Sequence, residues 1–195
     1  MSLEAIHWVF DDSIDTLYNA KRQTAEPTTA VANLIAQQLL NGHKVVAGGL
    51  GSAHTLAIMA GIKFSVRLEM PRPGLPALVL GTDNGSALSL AFEQNLASIY
   101  CRQIEMLGGA GDVLLWFTHS STEDTTPLVL EAASDQGMST IWLCANASDA
   151  ASLQPAPDYI LSMSSDSICR TEEAQLVTLN AICTLVESRI FSHQG

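Results

Sequence analysis

The chain has few charged residues. Only 15% of its 195 residues are Asp, Glu, Lys or Arg, whereas 47% are hydrophobic. Intrinsic disorder requires the opposite composition, so the sequence predicts a folded protein with a large buried apolar area. Several predicted helices are apolar on more than one face. This pattern favours burial between subunits over the alternative, a well-packed monomer.

Basic residues are especially scarce. The sequence has 9 Lys and Arg against 20 Asp and Glu, which gives a formal net charge of -11. Such a charge repels the phosphates of nucleic acids and the head groups of anionic lipids, and no basic run offsets it. We therefore expect no direct contact with nucleic acid or membrane. A nucleic-acid-binding partner with a basic surface remains compatible with this charge.

Cysteine is limited to four residues, and none of them is in CxxC spacing. Each has apolar neighbours, which indicates reduced core thiols instead of disulfides or metal ligands. The four residues are Cys101, Cys144, Cys169 and Cys183. No signal-peptide pattern opens the sequence, and no apolar run reaches the roughly 18 residues of a membrane span. We therefore expect a cytoplasmic protein.

The order of apolar patterns predicts an α/β fold. Helical spacing indicates two N-terminal helices, over 4–20 and 27–40, and Pro27 begins the second. Beyond them, short apolar runs alternate with helical segments, which is typical of a parallel sheet with right-handed crossovers. We predict one domain over 1–195, with N-terminal helices in 1–42 and an α/β core in 43–195. Five strands are expected at 44–47, 77–80, 112–118, 140–144 and 159–162, with helices at 53–64, 87–107, 127–136 and 170–191.

Two loops of this predicted sheet are candidates for ligand binding. Pockets in parallel sheets lie beyond the carboxyl ends of the strands. The first strand ends in a glycine-rich turn over 48–52, and the third ends in a hydroxyl-rich loop over 118–122. Such loops at helix N-termini present hydrogen-bond donors to anions, typically phosphate. Hydroxyl-rich caps also begin many helices that bind nothing, so this signal leaves both readings open.

Four short segments together resemble the phosphoheptose isomerases of the sugar-isomerase (SIS) family. They are RPGLPA at 72–77, Thr82-Asp83, GGAGDVLL at 108–115 and EAASDQGM at 131–138. The resemblance implies a flavodoxin-like, three-layer SIS domain with a five-stranded parallel sheet and an N-terminal helical arm.

The end of the chain resembles a branch of this family, the bacterial DnaA initiator-associating proteins. The similar segments are NAICTLVE at 180–187 and IFSHQ at 190–194. The resemblance implies a homotetramer that holds several copies of the replication initiator DnaA. Ile190 and Phe191 are candidate partner-binding residues, because an aromatic side chain near a chain end is well placed to meet a partner. Alternatively, both residues pack on their own subunit.

The sequence departs from the family at the positions that carry chemistry. Aldose–ketose isomerisation needs a base and an acid on either side of the sugar. The resemblance places the family's His and Glu, four residues apart, at Ile58 and Ile62, and its Gln and His, eight residues apart, at Glu172 and Asn180. Aliphatic side chains neither bind metal nor move protons. We therefore expect no catalytic residues, metal or cofactor, and we interpret Ile58 and Ile62 as core residues.

Two histidines could replace the missing proton-transfer groups of the family. His54 lies four residues before Ile58, and His119 lies in the hydroxyl-rich loop. Either could act as a general base. The alternative is that His54 is a helix-surface or interface residue and that His119 hydrogen-bonds to the loop backbone.

The phosphate-type loop is also altered. By resemblance, the family's STSGNS reads THSSTE over 118–123, so Glu123 replaces the last serine. A carboxylate repels a phosphate dianion but suits a helix N-terminus. We expect Glu123 or Asp124 to cap the following helix in place of phosphate. The candidate pocket residues are Gly51, Ser52, Thr82, Asp83, Thr118, His119, Ser120, Ser121, Thr122, Glu123, Glu172 and Asn180.

Three functions are consistent with these features. The first is a non-catalytic interaction protein that binds DnaA and regulates chromosomal replication initiation. The second is a phosphosugar isomerase, acting on sedoheptulose 7-phosphate, with altered machinery. The third is a binding protein that senses a phosphosugar or a nucleotide sugar.

Overall fold

A computed structural model of the chain describes residues 2–69, 71–83, 85, 89, 96–119, 125–147, 150 and 153–191. None of the helices in these ranges is both long enough and apolar enough to cross a membrane. A turn of 3-10 helix, Gly51–Ala53, precedes α2. The helices are α1 (Leu3–Leu40), α2 (His54–Ser65), α3 (Leu96–Leu107), α4 (Thr125–Asp135) and α5 (Ile168–Phe191), and the strands are β1 (Val45–Gly49), β2 (Ala77–Val79), β3 (Val113–Phe117), β4 (Ser139–Cys144) and β5 (Tyr159–Ser162).

The five strands form one parallel sheet in the order β2-β1-β3-β4-β5. In the register, Val45 of β1 is opposite Ala77 on one side and Val113 on the other. β3 pairs with β4, and β4 pairs with β5, also in parallel. The strand alternation of the sequence therefore predicted the sheet correctly, and the strand bounds agree to within two residues.

Alternate strand residues point to opposite faces of the sheet and form two cores. Val45, Leu115 and Leu143 join the core beneath α1, α2 and α5. Trp116 and Trp142, both fully buried, join the core beneath α3 and α4. The result is the predicted three-layer arrangement, with helices on both faces of the sheet.

The N-terminal arm is one continuous helix, so the prediction of two helices with a break before Pro27 is wrong. Proline has no amide hydrogen to donate to the carbonyl of Gln23, which weakens the helix locally. Packing on both sides of Pro27 outweighs this loss, because Thr24 and Thr28 are both buried against the rest of the chain. The hydroxyl of Thr24 donates to the Ala20 carbonyl at 2.7 Å within the continuous helix.

The cysteines do not all lie in the core. Cys144 and Cys183 are buried and Cys101 is half-buried, but Cys169 is exposed; all four are free thiols. Cys169 lies in the first turn of α5, ahead of Thr171, the first buried residue of that helix. The prediction of a core thiol was wrong at this position because apolar sequence neighbours do not fix the direction of a helical side chain.

Alkylation of the native protein should separate these thiols. Burial, above all other causes, raises the pKa of the Cys183 thiol to about 12. At pH 8 this thiol is protonated and shielded, so iodoacetamide should modify Cys169 and leave Cys183 intact. Peptide mass spectrometry measures the labelling at each cysteine, and urea-unfolded protein, in which all four should react, is the control. Equal labelling of Cys169 and Cys183 in the native state would contradict the burial of α5.

Replacement of Pro27 by alanine should stabilise α1. The substitution restores an amide donor inside the helix, and we expect the free energy of unfolding to rise by about 1–2 kcal/mol. Urea denaturation followed by circular dichroism measures this change. A decrease on Pro27→Ala would mean that the arm needs the proline for its packing.

Candidate functional site

The glycine-rich turn places the start of α2 against the carboxyl end of β3. A Cβ atom on Gly49 would lie 2.9 Å from the Phe117 carbonyl oxygen and 3.0 Å from the Ala53 carbonyl oxygen. The amide of Leu50 donates to the Phe117 carbonyl at 3.1 Å. This close approach of two backbones requires glycine at position 49.

Gly51 and Ser52, both predicted pocket residues, lie on the exposed side of this turn. Gly51 has a φ of +58°, a conformation that favours glycine, and a Cβ added at this position would have no atom of the described residues within 4 Å beyond its chain neighbours. The Ser52 carbonyl accepts a hydrogen bond from the Thr55 hydroxyl at 2.8 Å. The Ser52 side chain is therefore presented to solvent at the start of α2.

Thr118 lies immediately after β3 and is fully buried. Its hydroxyl accepts a hydrogen bond from the Trp142 indole at 2.9 Å. The side-chain amide of Gln175 donates to the Thr118 carbonyl at 2.8 Å and to the Leu143 carbonyl at 3.1 Å. These contacts tie α5 to the ends of β3 and β4, and they use the Thr118 hydroxyl as an acceptor within the core.

His119 and Glu172 come together although they are far apart in the sequence. His119 Nε2 lies 3.1 Å from Glu172 Oε1, and the side chains are 15% and 31% exposed. The ring N–H is not aligned with the carboxylate, so neither of these buried atoms has a hydrogen-bond partner among the residues that the structure describes. The His119 ring thus turns toward the first turns of α5. The expectation that it hydrogen-bonds to the loop backbone stays a prediction, because residues 120–124 of that loop lie outside the described residues.

Three further buried polar atoms are also without a hydrogen-bond partner among the described residues. They are His54 Nδ1, Gln175 Oε1 and Asn180 Oδ1. His54, at the first position of α2, is half-buried, so its interpretation as a helix-surface or interface residue stays a prediction. Its ring approaches Gly81, where an added Cβ would lie 3.4 Å from His54 Cε1. A buried polar group that has no hydrogen-bond partner costs stability, so each of these atoms needs a partner beyond the described residues.

Thr82 and Asp83 lie on an exposed turn after β2. The Thr82 hydroxyl donates to the Val79 carbonyl at 3.0 Å, and Asp83 Oδ1 accepts from the Gly85 amide at 3.0 Å. Both side chains therefore support the local turn. Ser120, Ser121, Thr122, Glu123 and Asp124 lie outside the described residues, so their proposed roles stay predictions.

Ile58 and Ile62 are not core residues in the single chain, which corrects the interpretation from sequence. Their side chains are 40% and 51% exposed. α2 is apolar on two sides: Ala57, Ala60 and Phe64 are buried against the sheet, and the two isoleucines lie on the opposite side. In the part of the chain that the structure describes, no group of three or more His, Cys, Asp and Glu side chains could hold a metal ion.

The two candidate partner-binding residues lie at the end of α5 and are half-buried. Ile190 packs against the core beneath α1, α2 and α5. The Phe191 ring lies under the Arg72 guanidinium, with its centroid 5.8 Å from Arg72 Cζ. The single chain thus uses one side of each residue for its own packing and leaves the rest of each side chain accessible.

Sequence reasoning missed Gln175, Tyr100 and the structural role of Arg72. Gln175 is fully buried, and the Tyr100 hydroxyl donates to the Gly49 carbonyl at 3.0 Å. An amide at position 175 inside the apolar stripe of α5 was a readable signal for a buried polar contact. The roles of Tyr100 and Arg72 depend on contacts across 51 and 115 residues, for which the sequence carries no local sign.

The family model for the SIS domain matches residues 9–145. The DnaA initiator-associating protein DiaA of Klebsiella pneumoniae (strain 342) is 31% identical over 193 residues, 98% of each chain. DiaA of Photorhabdus laumondii is 31% identical over 194 residues, again 98% of each chain.

Solved structures agree with these matches. A phosphoheptose isomerase from Francisella tularensis superposes with a TM-score of 0.84 and 29% identity, covering 96% of this chain and 99% of its own. Phosphoheptose isomerase GmhA from Neisseria gonorrhoeae gives a TM-score of 0.85 at 24% identity, covering 95% of this chain and 98% of its own. The second likeness concerns the fold alone. Together the comparisons confirm the resemblance inferred from the four short segments and the C-terminus.

Two alanine substitutions in the glycine-rich turn should lower the free energy of unfolding by different amounts. Gly49→Ala forces a Cβ into two carbonyl oxygens, and we expect a loss of about 3 kcal/mol in the free energy of unfolding. Gly51→Ala, the matched control, meets open space and should cost about 1 kcal/mol from its positive φ alone. Urea unfolding of both variants measures the difference. Equal losses would contradict the close approach of the turn to β3.

Proposed function

Because the chain belongs to the SIS-domain family, we propose that it is a non-catalytic member, a regulator of chromosomal replication initiation that binds the initiator DnaA as a homotetramer. The proposal places the protein in the bacterial cytoplasm.

One observation carries this proposal. Relatives named for their association with DnaA match the chain over 98% of its length, through both α1 and α5. A match of this extent includes Ile190 and Phe191 at the end of α5, the candidate partner-binding residues. The similarity to these relatives therefore extends beyond the sheet that all SIS domains share and includes residues at the protein surface.

The chemistry of α2 supports a function without catalysis. Transfer of a proton between adjacent sugar carbons requires ionisable groups at the reacting carbons. The α2 positions that the resemblance assigns to this work hold Ile58 and Ile62, and both side chains are partly exposed. Aliphatic side chains on an accessible helix face suit contact with protein better than proton transfer.

Charge complementarity supports the choice of partner. This chain has a formal net charge of -11. An initiator that binds DNA carries basic surface, so opposite charges steer the two proteins together. The same acidic surface is repelled by DNA, so this protein would not compete with the initiator for its site.

Exposed apolar surface on α1 supports the homotetramer. Large hydrophobic residues recur with helical spacing over the first four turns and are 48–73% exposed in the single chain: Leu3, Ile6, Phe10 and Ile14. An exposed stripe of four large apolar side chains is typical of a protein–protein interface. Closed symmetry would cover it with an identical chain.

A second candidate function is binding of a phosphosugar at the carboxyl ends of the strands. It is favoured by buried polar atoms of His119, Glu172 and Asn180 that have no partner within the described ranges, since hydroxyl groups of a sugar could pair with them. Sedoheptulose 7-phosphate is the first ligand to test.

Binding to DnaA is the decisive measurement. We expect the purified protein to show a tetramer mass by light scattering and to bind surface-immobilised DnaA with micromolar or tighter affinity, about -8 kcal/mol. Phe191→Ala should weaken this binding roughly tenfold or more without changing the mass. Leu128→Ala, which removes an exposed apolar side chain from α4, is the matched control. A tetramer with no affinity for DnaA would contradict the proposal.

Turnover and ligand binding separate the alternatives. We expect no isomerisation of sedoheptulose 7-phosphate, because α2 lacks proton-transfer groups at Ile58 and Ile62. A thermal-shift titration with the same sugar tests binding without turnover. Isomerase activity that Glu172→Gln abolishes would contradict a non-catalytic function. Saturable stabilisation without turnover would support the second candidate.

A further inference from the structure

Arg72 is buried in an unusual way for an arginine, with all its guanidinium nitrogens engaged. Its side chain is only 2% exposed, and Nε lies 2.6 Å from Glu187 Oε1. Nη1 donates to the Phe64 carbonyl at 2.9 Å and to the Pro73 carbonyl at 3.0 Å. Nη2 donates to the Lys63 carbonyl at 2.6 Å. The guanidinium therefore closes the end of α2 and binds α5.

Glu187 completes this buried pair from the side of α5. Its side chain is 5% exposed, and Oε1 also accepts from the Leu68 amide at 2.8 Å. A buried ion pair is stable only when its polar atoms are satisfied in this way. The orientation of the guanidinium plane is consequently fixed by four groups of the same chain, independently of any partner.

Phe191 lies four residues after Glu187, on the same side of α5. Its ring centroid is 5.8 Å from Arg72 Cζ, within the range of a cation–π contact. The half-buried ring covers the guanidinium with one side. Only the remaining side of the ring is available for contact with another protein.

We propose that Arg72 is a positioning residue for the partner-binding surface at the end of α5: it holds the Phe191 ring in one orientation for the initiator. This inference rests on the proposed function, in which Phe191 contacts DnaA. A ring that is already fixed loses little conformational freedom on binding, which strengthens association. Arg72 acts only through Phe191 and does not itself contact the partner.

Lysine cannot replace arginine in this role. An ammonium group keeps the charge beside Glu187 but lacks the planar fork that reaches the Lys63 and Phe64 carbonyls and stacks on the ring. Arg72→Lys should therefore release Phe191 while leaving the ion pair partly in place.

The test is a double-mutant cycle measured as affinity for immobilised DnaA, on full-length protein whose tetramer mass and thermal unfolding are checked for each variant. We expect Arg72→Lys to weaken binding about three- to tenfold in the presence of Phe191. In the Phe191→Ala background the same substitution should have no further effect, because there is no ring to position. Phe191→Leu, which keeps apolar bulk without a ring, should also remove the effect of Arg72→Lys.

Arg189→Lys is the matched control, since Arg189 is an exposed arginine two residues before Phe191. It should leave the affinity unchanged. A folded Arg72→Lys tetramer with wild-type affinity would overturn the positioning role and leave the proposed function intact. So would losses that multiply in the double variant, because Arg72 would then act independently of Phe191. Absence of DnaA binding by the unsubstituted protein would overturn the proposed function and, with it, this inference.

Discussion

The Thr118 carbonyl lies just beyond the last paired residue of β3, in a fully buried position, and the side chain of Gln175 supplies its hydrogen-bond donor. The same amide group also donates to the Leu143 carbonyl on β4. An unpaired carbonyl in this core would cost about 1–3 kcal/mol, so α5 is held at one height and one rotation relative to the sheet. The positions of every other functional residue of α5 follow from this contact.

The two ends of α5 serve different surfaces because the helix is 24 residues long. Glu172, one turn before Gln175, meets His119 at the carboxyl ends of the strands. Glu187, three turns after Gln175, meets Arg72 at the end of α2.

Ion pairs within the chain occupy part of its small number of basic side chains. Ion pairs within the described part of the chain join Lys44 to Asp112, Arg72 to Glu187, and Arg170 to Asp12 and Glu173. Arg72 and Arg170 are largely buried by these contacts. The remaining surface is left with a large excess of carboxylates, which suits a basic protein partner and repels nucleic acid.

The sequence by itself determined the parallel sheet, the position of its glycine-rich turn and the kinship with SIS domains, because strand periodicity and turn glycines are local properties. It also placed Glu172 and Asn180 on the closing helix. Only the tertiary structure decided that α1 runs through Pro27, since burial on both sides of the proline outweighs a missing hydrogen bond. It likewise decided that Ile58 and Ile62 face outward, because the apolar pattern of α2 has two candidate faces. The contacts of His119, Gln175 and Arg72 join residues 53, 57 and 115 positions apart, and such pairs arise from the packing of layers that no local pattern encodes.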